Sequence, residues 1–285
     1  MYVGFHINIT NKQFKKSIEN AHNKYNINAI QFFLKTPRQK ILSKISDHDL
    51  DECRKFVYEY NIKLFVHSTY LINIATLDDM EYKINTVCDD INNIYLMGGL
   101  GAIFHVGKYL KMNKEIALNN MKTFIKKILS EINFEQKFIL ETAAGCGTEL
   151  LYNIEEFGNF FNSFDENEKK KLGVCIDTCH VFSAGYDLKT IDKVKDFINL
   201  VDKYISWENV LVIHLNDSEK DCGCRVDRHQ NLCNGYITKD NVEGLKYFCN
   251  YCSTNFNIPI ILETPLLESS KLNEIKIVRD WIKNV

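Results

Sequence analysis

A single α/β domain spanning residues 1–285, folded as a (β/α)8 TIM barrel with metal ligands at the C-terminal face of its strands, is the fold this sequence predicts. Three observations predict it. Eight apolar runs too short for helices recur along the whole chain, segments with helical periodicity separate them, and the last six of the runs carry a histidine or a carboxylate at the last or next-to-last position.

The runs are Tyr2 to Ile7, Ala29 to Leu34, Ile62 to His67, Ala102 to Val106, Lys137 to Glu141, Gly173 to Asp177, Val210 to His214 and Pro259 to Glu263. None alternates cleanly between apolar and polar, as expected of parallel strands covered on both faces. Between them, Leu50, Cys53, Val57 and Tyr60 recur at helical steps behind Ser46-Asp47-His48-Asp49, a candidate capping box. Ala117, Met121, Phe124, Ile128 and Ile132 do the same before the fifth run. An open doubly wound sheet shares this alternation, but eight βα units favour closure into a barrel. Interrupted helical periods point to longer loops after the third and sixth strands.

Composition narrows the function classes. The chain has 45% hydrophobic and 25% charged residues with only 3 Pro, which is ordinary for a globular domain. Its 35 Lys and Arg against 37 Asp and Glu leave no global positive field, so nucleic-acid affinity has to come from a local patch or bound metal. No run approaches a membrane span, and the start lacks a signal-peptide pattern, which predicts a protein that is neither membrane-bound nor secreted. Ten cysteines at irregular spacing read as reduced thiols, Cys222, Cys224 and Cys233 among them, of a cytoplasmic or nuclear compartment.

In a barrel of this order, His67, His105, Glu141, Asp177, His214 and Glu263 end strands three to eight and converge on one mouth. His180, three residues past Asp177, and the pair Asp227 and His229 fall in the following loops; residues two apart in an extended segment face the same way, so that pair can grip one ion. A lone histidine at a strand end is usually a hydrogen-bonded core or rim residue. Five of them beside four carboxylates are another matter, because carboxylates buried together need cations. Imidazole mixed with carboxylate suits zinc, with manganese as the alternative ion. Nine ligands exceed what one ion takes. Three divalent ions bring +6 and four carboxylates −4, a balance of +2 that favours an anion such as a phosphodiester. His6 ends the first strand at the same mouth as a candidate orienting group, whereas His22 and His48 read as surface residues.

The runs Val174-Cys-Ile-Asp-Thr-Cys-His180, Ala184-Gly-Tyr-Asp-Leu188, His214-Leu-Asn-Asp217, Arg225-Val-Asp-Arg-His229 and Ile261-Leu-Glu-Thr-Pro265 resemble the signature segments of endonuclease IV, the zinc-dependent AP endonuclease family. Glu141-Thr-Ala-Ala-Gly-Cys-Gly147 and His67-Ser-Thr-Tyr-Leu-Ile-Asn73 are similar to two more, so the resemblance covers essentially the whole chain. It implies one zinc on His67, His105 and Glu141, a second on Glu141, Asp177, His214 and Glu263, and a third on His180, Asp227 and His229. It implies Arg38 and Tyr70 as residues inserted into DNA, and Glu263 or Glu141 as the catalytic carboxylate.

The implied reaction is hydrolysis of the phosphodiester 5′ to an abasic site in double-stranded DNA by zinc-activated hydroxide. It leaves a 3′-hydroxyl and a 5′-deoxyribose phosphate, with removal of 3′-blocking groups as a side activity and a monomer as the working form. The sequence departs from the family at His105-Val-Gly-Lys108 and at Cys222 and Cys224. Two rivals make different predictions: a metal-dependent sugar isomerase has no use for the third ligand set, and a catalytically silent damage-binding protein predicts missing ligands.

Overall fold

Eight parallel strands close on themselves in the computed structural model, which describes residues 1–35, 45–69, 71–265 and 268–283, the side chains of 268–270 excepted. In chain order the first half comprises β1 (Val3–Ile7), α1 (Phe14–Tyr25), β2 (Ala29–Phe33), α2 (Asp47–Glu59), β3 (Lys63–His67), α3 (Met80–Leu96), β4 (Gly101–His105), α4 (Lys114–Glu131) and β5 (Phe138–Glu141). The second half comprises α5 (Ile154–Asn162), α6 (Glu166–Lys169), β6 (Leu172–Asp177), α7 (Thr178–Ala184), α8 (Ile191–Tyr204), β7 (Val210–His214), β8 (Asp217–Ser218), β9 (His229–Gln230), α9 (Glu243–Phe256), β10 (Ile260–Leu262) and α10 (Glu268–Lys283). Around the barrel the order is β1, β10, β7, β6, β5, β4, β3, β2, and β1 pairs with both β10 and β2. The short β8 and β9 form a separate antiparallel ribbon.

The period of two along each strand divides the core. Leu64, Val66, Phe104, Leu140, Ile176 and Leu262 belong to the large cluster shared with the helices. Ala29, Phe65, Ile103, Ile139, Cys175, Val212 and Ile261 form a second, fully buried cluster, one from each of seven strands. Two residues beyond each of these stand Gln31, His67, His105, Glu141, Asp177, His214 and Glu263. The same face that fills the barrel interior therefore carries the polar groups at its C-terminal end.

All eight expected runs coincide with a barrel strand to within one residue at each end. The expected helix behind Ser46 buries Leu50, Cys53 and Val57. Ser46 caps it by accepting from the Asp49 amide at 3.1 Å, but the return bond of a capping box is replaced by the Ser46 hydroxyl donating to the Asp49 carboxylate at 2.7 Å. The loop lengths need a correction. A long connection does follow β3, but β6 runs straight into α7, and the longest excursion between a barrel strand and its helix follows β7, from Leu215 to Val242. The reason is a cap: Asp177 accepts from the His180 amide at 2.9 Å, so Asp-Thr-Cys-His starts a helix rather than a loop. His48 is exposed, while His22 is half-buried and hydrogen-bonds the Ile27 carbonyl at 2.7 Å. No helix among the described residues is long and apolar enough to cross a membrane, and all ten cysteines are free thiols.

Candidate metal centre at the barrel mouth

The nine candidate ligands fall into three groups, each with its ligand atoms within 4.8 Å of one another. In the first, His67 Nε2 and His105 Nε2 lie 3.2 and 3.5 Å from Glu141 Oε2. In the second, His214 Nδ1 lies 2.7 Å from Glu141 Oε1, 3.2 Å from Glu263 Oε2 and 3.9 Å from Asp177 Oδ2. In the third, Asp227 Oδ1 lies 3.3 Å from His180 Nε2 and 3.2 Å from His229 Nε2. Glu141 thus faces two groups with its two oxygens. Asp177 Oδ2, 3.5 Å from His229 Nε2, links the second group to the third.

Local structure explains these placements. Asp177 is the N-cap of α7 and His180 its third residue, so one capping bond orients both side chains. Backbone carbonyls set several rings: His67 Nδ1 lies 2.9 Å from the Ser68 carbonyl and His180 Nδ1 2.8 Å from that of Thr142. Each such bond places a proton on Nδ1 and leaves Nε2 to face the carboxylates. The excursion carrying Asp227 and His229 is organised around buried Asp217, which accepts from the amides of Ser218, Gly235 and Ile237 at 2.8, 3.0 and 2.9 Å and from the Thr238 hydroxyl. A Cβ at Gly235 would stand 2.4 Å from Asp217 Oδ1, so only glycine fits there. Buried Glu274 of α10 fastens the far end, accepting from the Leu232 amide at 2.7 Å and the Thr264 hydroxyl at 2.8 Å.

The electrostatics are those of a cation site. Burial opposes charge on His214, but Glu263, Glu141 and Asp177 outweigh it and push its pKa up to about 9. His229 is likewise pushed up to about 9, its burial outweighed by Asp177, Asp227 and Glu263. His105, with burial dominant, drops to about 4. Glu141, Glu263 and Asp227 are held below the carboxylate range despite burial, by His105 and His214, by His214 and His6, and by His180 and His229 respectively. Protons on imidazole thus occupy the place of positive charge among the four carboxylates. Cys175 and Cys179 also reach these groups, but burial pushes the Cys179 thiol up to about 12 and Cys175 well above its ordinary value, so neither offers a ready thiolate.

All nine expected ligands are thereby brought together, and His6 stands beside them with Nδ1 3.5 Å from Glu263 Oε1. Arg38 and Tyr70 lie outside the described residues. The sequence reading missed Gln31, Asn216 and Asp217 as organising groups. Asn216 donates to Asp177 Oδ2 at 2.6 Å and accepts from the Glu263 amide at 2.9 Å. For Gln31 the signal was available: it is the one polar residue in the run Ala29-Ile-Gln-Phe-Phe33.

A closed eight-stranded barrel with this mouth places the chain among the xylose isomerase-like TIM barrels, whose family model matches residues 20–284. A protein of Acanthamoeba polyphaga mimivirus bearing the endonuclease 4 name is 33% identical, over 99% of this chain and 93% of its own. The apurinic-apyrimidinic endonuclease 1 of Saccharomyces cerevisiae is 30% identical over 94% of this chain and 72% of that protein. Endonuclease IV from Thermus thermophilus superposes with a TM-score of 0.85 at 25% identity, covering 100% of both chains. A D-tagatose 3-epimerase-like protein, with a TM-score of 0.72 and 16% identity, shares the fold alone. Within the barrel class, this chain belongs to the endonuclease IV family of nucleases.

Proposed function

We propose that the chain cuts double-stranded DNA on the 5′ side of abasic sites, using three zinc ions held by the nine residues at the barrel mouth. The donor set fits such ions. His229 Nε2 is buried and makes no hydrogen bond although two carboxylates lie within 3.5 Å, an arrangement that suits convergence on a cation. His67, His105 and Glu141 would hold the first ion, Glu141, Asp177, His214 and Glu263 the second, and His180, Asp227 and His229 the third. Zinc would supply Lewis-acid stabilisation of the phosphate's developing charge and a lowered pKa for water; manganese is the alternative ion.

The remaining chemistry falls to the chain. Glu263 orients the attacking water and takes its proton as the new oxygen–phosphorus bond forms. The bond from phosphorus to the 3′-oxygen breaks, and that oxygen takes a proton from solvent to become a 3′-hydroxyl, with a 5′-deoxyribose phosphate on the other product. Glu141, shared between two groups, fixes their spacing and is the competing candidate for the proton. Two clefts flank these carboxylates: one of about 150 Å³ runs past His105, Asp227 and Thr69, and one of about 300 Å³ past His6, Glu263 and Lys271. An abasic sugar turned out of the duplex leaves a gap, which Arg38 and Tyr70 would fill; a site without a base is the cheapest to open. The same centre would remove 3′-blocking groups. We place the protein as a monomer in the cytoplasm or nucleus, which suits its ten free thiols.

The observation that carries this reading is Glu141, whose two oxygens face different imidazole groups and so join adjacent sites rather than lining one. A sugar isomerase gains nothing from His180, Asp227 and His229. The test is cleavage of an end-labelled duplex containing one abasic analogue. Incision on its 5′ side without added magnesium, abolished by a chelator and restored by zinc, is expected; an intact duplex after incubation with zinc-loaded protein overturns the proposal.

A further inference from the structure

Gln31 is fully buried on β2, two residues above the interior layer and on the same side of the strand, where its amide touches groups from three other strands. Its Nε2 donates to Glu263 Oε1 at 2.6 Å and approaches His6 Nδ1 at 3.0 Å, while its Oε1 lies 2.8 Å from His214 Nε2. The amide has only one workable orientation, because turning it over would set its oxygen against the Glu263 carboxylate. His214 Nε2 must therefore carry the proton that Gln31 accepts, and Nδ1 is left to face Glu141, Glu263 and Asp177. His67, His180 and His229 instead turn Nε2 toward the carboxylates. Among these rings His214 is the exception, and the group that makes it so is the Gln31 side chain.

We infer that Gln31 is a positioning residue for the second metal position. It fixes which nitrogen His214 presents and holds Glu263 in line with it, so that ligands from β7 and the end of β10 are set before an ion arrives. The inference rests on the three-metal reading proposed above. Removing a partner of this kind commonly costs 10–100-fold in metal affinity. The loss should fall on one position only, since the hydrogen bonds of the Gln31 side chain reach only His214 and Glu263 among the nine ligands.

The experiment compares wild-type protein with Gln31→Leu and Gln31→Glu by elemental analysis, by competition for zinc with a chelator, and by melting of the metal-free proteins. Gln31→Leu is expected to weaken one zinc of three by 10–100-fold and also to lower the metal-free melting temperature, because the buried His214 Nε2–H and the Glu263 carboxylate lose their partner. Gln31→Glu keeps volume and the acceptor for His214 but sets a carboxylate against Glu263, and should weaken the same position even if the leucine variant folds poorly. In zinc-loaded wild-type protein, histidine nitrogen NMR should show His214 bound through Nδ1 with a protonated Nε2.

Wild-type zinc affinity in both variants, or His214 bound through Nε2, overturns the role of Gln31 and leaves the metal centre standing. A lower metal-free melting temperature with unchanged zinc affinity reduces Gln31 to packing. Fewer than three zincs in the wild-type protein overturns the three-metal reading itself, and the inference with it.

Discussion

Replacing Asp217 tests whether the excursion after β7 is a folded support for the third ligand group. Its carboxylate accepts from three backbone amides, those of Ser218, Gly235 and Ile237, and from the Thr238 hydroxyl, all in a buried setting. Leaving a buried donor unpaired costs about 1–3 kcal/mol, so Asp217→Ala removes roughly 3–9 kcal/mol across the three amides alone. That is a large part of the roughly 5–15 kcal/mol typical of a domain. Asp217→Asn is the milder probe, because it keeps one accepting oxygen and the volume, and should cost roughly 1–3 kcal/mol. At about 2–4 °C per kcal/mol for a chain of this size, its melting temperature should fall by roughly 2–12 °C.

The loss should not be confined to stability. Asp227 and His229 ride on the segment that Asp217 organises, so the variant should release one zinc of three more readily while the other two stay. Calorimetric melting together with chelator competition reads both quantities. An Asp217→Asn protein that melts several degrees lower yet keeps three zincs at wild-type affinity would refute the coupling between loop and ligands.

Glu263→Gln should keep the fold and abasic-DNA binding but lower single-turnover cleavage by about 10²–10⁴-fold, the usual worth of a positioned general base; near wild-type turnover would move that role to Glu141. In metal-free protein, His214 and His229, pushed up to about 9, stabilise the fold below about pH 6.5 and lose that contribution as pH rises through 9. Glu141, Glu263 and Asp227, held below the carboxylate range, lose theirs only on strong acidification. Melting of the chelated protein should therefore decline between about pH 6.5 and 9.5 while the zinc-loaded protein holds steady, and parallel curves would contradict the paired imidazolium–carboxylate picture. Tyr70→Ala should weaken abasic duplex by on the order of 1–3 kcal/mol at fixed salt and leave undamaged duplex nearly unchanged, and equal weakening of both would make Tyr70 a packing residue.

The barrel was legible because strands covered on both faces read as unbroken apolar runs, and six of the nine ligands because each stands at or beside the end of such a run. The ribbon of β8 and β9 was not: two residues per strand carry no period. The helix α7 escaped notice because Asp177-Thr-Cys-His180 lacks apolar periodicity and is started by a side-chain cap visible only in three dimensions. Gln31 went unremarked for a different reason. A single amide in an apolar strand is ambiguous until registry shows that it shares a face with His67 and Glu263. Asp217 lay within a quoted motif, but its four donors come from residues up to 21 positions away, which local reasoning cannot assemble.

Nine side chains at one barrel mouth would close three adjacent metal positions, with Glu141 shared between two of them. Elemental analysis of the purified protein, set against its cleavage of an abasic duplex, tests this arrangement most directly. Close to three metal ions per chain, mostly zinc, are expected, with activity lost as they are withdrawn by a chelator and regained on adding zinc alone. One ion or none per chain in a preparation that still cuts the duplex would contradict it.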